Sequence, residues 1–186
     1  MASSIEEITA YLDAGSIRFG TTDEPDTVVT SFQTEHYRDP VGDDSVFLVI
    51  MLEEAGRYLK VFAPNAFAVP DEHLDAFLRA CAMVQYRTKL VQFEWDDDAG
   101  LIPIIEFPLE DAPLGSQQLR RCVIGLVAIL DEYYDALTHV ATTGFVDADH
   151  IAAPELARTS DEWEELLATF PPSVLEAALE RSRQRD

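Results

Sequence analysis

Asp96, Asp98 and Gly100 allow a calcium-loop pattern to be tested. A calcium loop repeats oxygen ligands at alternate positions, turns on a glycine at the sixth and closes with a bidentate glutamate at the twelfth. Counted from Asp96, Gly100 comes one residue early and Phe107 stands where the glutamate belongs, so the pattern does not make a calcium site. Asp147, Asp149 and His150 place ligand types close together, but no supporting shell accompanies them and a solvated linker is the simpler reading. His36, His73 and His139 are far apart in sequence, and none has a cysteine partner or HExxH spacing, so zinc is not expected.

Nucleophilic chemistry finds no better support. Cys81 and Cys122 sit among apolar helix positions, where a thiol behaves as a small hydrophobe, and only Arg120 and Arg121 beside Cys122 hint at an activating field. A carboxylate pair such as Glu94 and Glu106 across a hairpin could do acid–base work, although hairpin carboxylates usually face solvent. The chain has no glycine-rich phosphate loop, no GxSxG and no zinc-deaminase signature. A non-enzymatic protein without a cofactor is the expectation, and an unrecognised enzyme is the alternative.

Composition narrows the partners. A net charge of -22 repels phosphate backbones and anionic membrane surfaces, which excludes direct nucleic-acid binding as an expectation and leaves a basic protein as a candidate partner. The longest uncharged apolar run, Cys122 to Leu130, is far short of the about 20 residues that span a bilayer. The first residues lack the basic and apolar regions of a signal peptide, and two cysteines give no disulfide framework, so a cytoplasmic location is expected.

The elements that must position these residues follow from periodicity. Ser3 or Ser4, with Glu6 and Glu7 three residues on, caps a first helix whose stripe is Ile5, Ile8, Tyr11 and Leu12 and which Gly15 ends. Thr27–Gln33 reads as a strand by its β-branched content. In Ser45–Leu52 both faces, Val46/Leu48/Ile50/Leu52 and Phe47/Val49/Met51, are apolar, which predicts a strand covered on both sides. A turn at Glu53–Gly56 leads into a third strand, Arg57–Phe62. Asp71 then caps a helix running to Tyr86 with Leu74, Phe77, Leu78 and Cys81 on one face.

A second hairpin pairs Leu90–Trp95 with Leu101–Phe107, and Pro103 predicts that the latter lies at an edge or begins irregularly. Ser116 offers a cap for a long helix to about Val140. No charge interrupts it between Arg121 and Asp131, so its middle must be buried nearly all round. One sheet covers one face, so Val123, Gly125 and Val127 call for a further helix or a second subunit, with Gly125 permitting close approach. At the end of that helix, Tyr133 and Tyr134 suit one ring in the core and one at the surface.

Residues 141–158 read as a linker. Beyond it, Thr159 and Glu162 form a capping box ahead of Trp163, Leu166, Leu167 and Phe170, an apolar helix stripe stopped by Pro171-Pro172. A last helix starts at Ser173. This 159–186 extension is expected to dock on the main domain, on a dimer mate or on a partner.

Quoted together, Phe93-Glu94-Trp95-Asp96-Asp97-Asp98-Ala99-Gly100, Phe107-Pro108-Leu109-Glu110-Asp111 and Leu130-Asp131-Glu132-Tyr133-Tyr134-Asp135-Ala136-Leu137 resemble the hairpin, exit and final helix of the YbjN-type domain, a family associated with bacterial sensory-transduction regulation. That resemblance covers about residues 4–140 in order of elements, within a domain read as 1–140, and Ala82-Met83-Val84-Gln85 departs from it where the family often has asparagine. It implies an α+β fold like that of the class I type III secretion chaperones. It further implies a homodimer in which the middle helix and following strand, here Phe77, Cys81, Val91 and Phe93, meet across a two-fold axis and hold a protein client. The reading that results is a cytoplasmic, homodimeric, chaperone-like adaptor or regulator. Its alternative is a stress or signalling regulator whose acidic surface binds a basic, for example nucleic-acid-binding, protein.

Overall fold

The computed structural model describes residues 2–96 and 100–152. The expected extension at 159–186, with Trp163, Leu166, Leu167 and Phe170, lies outside the described residues, as does the tip of the second hairpin.

Helix α1 (Ile5–Ala14) begins where the serine–glutamate spacing places it. Ser4 Oγ accepts from the Glu7 N–H and Glu7 returns its carboxylate to the Ser4 N–H at 3.0 Å, closing a capping box. Ile8 and Leu12 are buried, and Gly15 caps the end. The short strand β1 (Gly20–Thr21) was not expected from its polar sequence; it pairs with Val28 and Val29. Strands β2 (Thr27–Gln33), β3 (Ser45–Glu53) and β4 (Tyr58–Phe62) form an antiparallel meander, as the β-branched content of the first, the apolar run of the second and the alternation of the third predict.

The β3–β4 turn is also where the N-terminus anchors. Ser3 donates its N–H to the Gly56 carbonyl at 2.8 Å and accepts from the Leu114 N–H at 2.8 Å. Gly56 has φ +83°, and a Cβ there would lie 1.9 Å from the Ser3 carbonyl oxygen, so only glycine fits.

A 3-10 turn at Asp71–His73 precedes α2 (Leu74–Arg87), and no side chain caps it, so the expected Asp71 cap is not made. Phe77, Ala80, Cys81 and Val84 are its buried face. The hairpin of β5 (Gln92–Asp96) and β6 (Gly100–Pro108) completes a six-stranded antiparallel sheet of order β1-β2-β3-β4-β6-β5. Pro103 is therefore not on an edge strand: β6 lies between β4 and β5. The proline is tolerated because it comes where β4 ends. Its carbonyl still accepts from the Ala63 N–H at 3.0 Å, and the donor it lacks falls one residue past Phe62.

Helix α3 (Ser116–Glu132) is capped at Gly115, whose N–H donates to Gln118 Oε1 at 2.9 Å, one residue before the expected Ser116. It crosses β3, β4 and β6 and packs against α1, so cover for its second side comes from within the chain. The long helix does not run unbroken to Val140. It breaks at Tyr133 (φ -96°, ψ 3°), and α4 (Tyr134–Thr143) turns to pack on α2. Gly144 ends α4 at φ +68°, beneath His73, whose Nδ1 would be 2.6 Å from an added Cβ. A short α5 (Ala148–Ala152) follows, with Ile151 buried against the core. The packed domain thus continues past residue 140 into what the sequence suggests as linker.

The expectation that β3 is covered on both sides fails in part. Val46, Leu48, Ile50 and Leu52 join the core beneath the helices, whereas Phe47, Val49 and Met51 on the far face are only half-buried. Antiparallel pairing next to a meander fixes this fold as α+β, with all helices among the described residues longer than five residues packed into one core. No helix among the described residues is long and apolar enough to cross a membrane.

Candidate protein-binding surface

The residues expected at a dimer or partner surface divide sharply. Phe77, Cys81, Val91, Val123 and Val127 are core residues of the single chain, because α4 and α5 cover α2 while α1 and the sheet enclose α3. Phe93, on β5, is half-buried against that core, and Gly125, on α3, is half-buried with open space where a Cβ would stand. The sequence cue of surplus apolar faces is real, but the chain consumes most of the surplus itself.

Four large apolar residues among those described are exposed, Val41, Tyr86, Leu90 and Phe145, and two of them, Tyr86 and Leu90, lie close together in sequence around the end of α2. Tyr86 is 91% exposed, off the buried stripe of α2, and Leu90 is 56% exposed just before β5. Leu90 also has φ +72°, the left-handed region that disfavours a residue with a Cβ. Between them Thr88 closes α2, its hydroxyl and N–H both donating to the Val84 carbonyl at 3.0 Å. Arg87 reaches back to the Ala152 carbonyl at 2.9 Å, tying α5 to the same corner. β5, one of the two outer strands of the sheet, starts two residues after Leu90. Neither Tyr86 nor Leu90 stood out in sequence; the only available signal was that Tyr86 falls off the helical stripe.

The possible reactive groups do not converge. Register places Ile102 opposite Glu94 and Lys60 opposite Glu106, so the two carboxylates do not face each other. Lys60 bridges Glu53 at 3.1 Å and Glu106 at 3.8 Å, and its hydrogen bond to Glu53 raises its pKa. Burial raises the Cys122 thiol to about 11 despite Arg121, and burial drives Cys81 higher still, so both remain protonated at neutral pH. Asp147 is a helix cap: its Oδ1 accepts from the N–H groups of Asp149 and His150 at 3.0 and 3.1 Å. His139 and His150 come within 6.1 Å between ring centroids, yet no group of three histidine, cysteine or carboxylate side chains converges as a metal site among the described residues.

The double tyrosine splits between two environments. Tyr133 is buried, and Tyr134 stacks on Phe67 and meets Tyr37 edge-on in a cluster that also holds Phe77. Tyr37 donates its hydroxyl to the Ala66 carbonyl at 2.8 Å, and burial, helped by Asp39 and Tyr134, raises its pKa. These aromatic rings form a packed interior seam.

No protein-family model matches this chain, and no curated protein matches it.

Proposed function

We propose that this chain is a non-enzymatic protein-binding domain that works as a homodimer, a chaperone-like adaptor or regulator, and that it associates through the corner formed by the end of α2, Leu90 and β5. Leu90 is the observation that supports this most. A leucine held in the left-handed region costs on the order of 1–2 kcal/mol, and exposing its side chain forgoes the burial that offsets such costs elsewhere. Strained residues persist where function requires them, and an apolar one at the start of an outer strand suits docking of a second strand or helix. A two-fold axis there would place Tyr86 and Leu90 of one copy against the same residues of the other.

The test is light scattering of the full-length protein at micromolar concentration. A mass of twice 20.8 kDa that falls to 20.8 kDa in Leu90→Asp agrees with the proposal, and a parent mass of 20.8 kDa removes the dimer. A pull-down from native lysate then asks for a stoichiometric client.

The net charge of -22 favours a second reading, in which the acidic surface meets a basic partner protein in signalling or stress response. Attraction between exposed charges is screened beyond about 8–10 Å at physiological salt, so a complex of that kind is lost in a salt wash while an apolar one survives.

A further inference from the structure

Beyond Asp75, the side of α2 turned away from the core carries no negative charge. Phe77, Ala80, Cys81 and Val84 form the buried stripe, and Arg79, Ala82, Met83 and Tyr86, at spacings of three and four, fall on the opposite side. Arg79, Ala82 and Tyr86 are exposed and Met83 is half-buried. Arg87, Lys89 and Leu90, all exposed, extend this strip towards the start of β5. The chain has 35 acidic against 13 basic residues, yet no aspartate or glutamate stands between Asp75 and Glu94. The cations of that interval are also uncompensated. Arg87 donates to a neutral acceptor, the Ala152 carbonyl, and neither Arg79 nor Lys89 forms an ion pair among the described residues. Lys60, the other lysine of the chain, instead sits between Glu53 and Glu106.

We propose that this strip is the docking site of a short acidic protein segment with an apolar anchor, its carboxylates on Arg79, Arg87 and Lys89 and its anchor against Tyr86 and Leu90. Charge complementarity selects that occupant. Guanidinium groups pair with carboxylates through two parallel hydrogen bonds, and a lysine adds a point charge. Tyr86 and Leu90, 91% and 56% exposed, offer apolar area that an acidic segment can cover with a leucine or an aromatic ring and that a phosphate backbone cannot. Along the helix Arg79 and Tyr86 are about 11 Å apart, so the strip is short. A nucleic acid would run past it into the field of a chain with net charge -22, whereas a short segment stays within about one Debye length of the three cations. The inference rests on the association corner proposed above and names the chemistry of the client. A two-fold contact at Leu90 would set the cations of both copies along one rim.

The test is fluorescence anisotropy of the full-length protein with a short labelled peptide in which glutamates alternate with leucine and phenylalanine. The expected result is binding that weakens as salt rises and that becomes about tenfold weaker when Arg79→Glu and Lys89→Glu are combined, two changes at exposed positions whose fold circular dichroism checks. A peptide with serine in place of leucine and phenylalanine should bind more weakly, and one with lysine in place of glutamate should not bind. Binding unmoved by the double variant, a preference for the lysine peptide, or equal binding of oligothymidylate overturns the proposal. So does a mass that falls from twice 20.8 kDa to 20.8 kDa in the double variant while the parent ignores the glutamate peptide, because the strip would then belong to the acidic surface of a second copy. A parent mass of 20.8 kDa with charge-dependent peptide binding removes the dimer and supports this inference, whereas a dimeric parent that does not bind the peptide overturns it and keeps the dimer.

Discussion

The carboxylate of Asp131 accepts the backbone N–H of Tyr37 at 2.9 Å across 94 residues of sequence, and the His36 N–H at 2.7 Å with the same oxygen. It fastens the loop after β2 to the last turn of α3, immediately before the helix breaks at Tyr133. The Tyr37 ring thereby meets Tyr134 and Phe67, and its hydroxyl finds Ala66.

Asp131→Ala leaves the buried Tyr37 N–H without its acceptor. An orphaned buried donor costs about 1–3 kcal/mol, more where the lost partner was charged, so chemical denaturation should show a loss of about 2–3 kcal/mol. Tyr37→Phe, which orphans only the Ala66 carbonyl, should cost about 1–2 kcal/mol. Equal losses in the two variants would contradict the anchoring role of Asp131.

Gly56→Ala should be among the most damaging single changes in the chain. The new methyl would meet the Ser3 backbone in a left-handed turn, so the N-terminus must detach from the β3–β4 turn. Strain of this kind costs about 1–3 kcal/mol before the Ser3 bonds to Gly56 and Leu114 are counted. Hydrogen exchange should show α1 opening well before the sheet. Uniform protection across α1 and β3 would argue against that order.

Stability should fall as the solution becomes alkaline. The thiols of Cys81 and Cys122 have raised pKa values in the folded chain, so the unfolded state releases protons first, from about pH 8.5. The contribution is whole below that pH and is lost as pH rises towards about 11, the value for Cys122. With both thiols the slope approaches about 2.7 kcal/mol per pH unit. Urea midpoints between pH 8 and 10 measure it, and Cys81→Ala with Cys122→Ala should flatten the curve. A thiol reagent should label neither cysteine until the protein unfolds.

Leu90→Gly should stabilise the isolated domain by about 1 kcal/mol, because glycine adopts a positive φ without a Cβ penalty. If Leu90 serves association, the same variant should dimerise more weakly. A gain in thermal stability without loss of self-association would mean that Leu90 is strained to no purpose at the interface.

Much of the local structure was legible in the residues. The serine–glutamate spacing narrowed the start of α1 to Ser3 or Ser4, β-branched content placed β2, an apolar run placed β3, alternation placed β4, and the uncharged middle of α3 announced its burial. Pro103 misled because a proline's cost depends on which strand partner ends beside it, and β4 stops at Phe62. β1 escaped notice because two polar residues carry no periodic signal.

The sequence by itself determined the α+β class, the order of its main elements and the poverty of reactive groups, since periodicity, capping and residue type are local properties. Only the tertiary structure decided which apolar residues are interior and which are available. Phe77, Cys81 and Val91 look like spare surface until α4 bends at Tyr133 onto α2, and Val123 and Val127 until α1 and the sheet enclose α3, whereas Leu90 looks ordinary until its exposure and handed backbone geometry set it apart. Burial depends on contacts between segments tens of residues apart, and those contacts are fixed by packing of the whole chain.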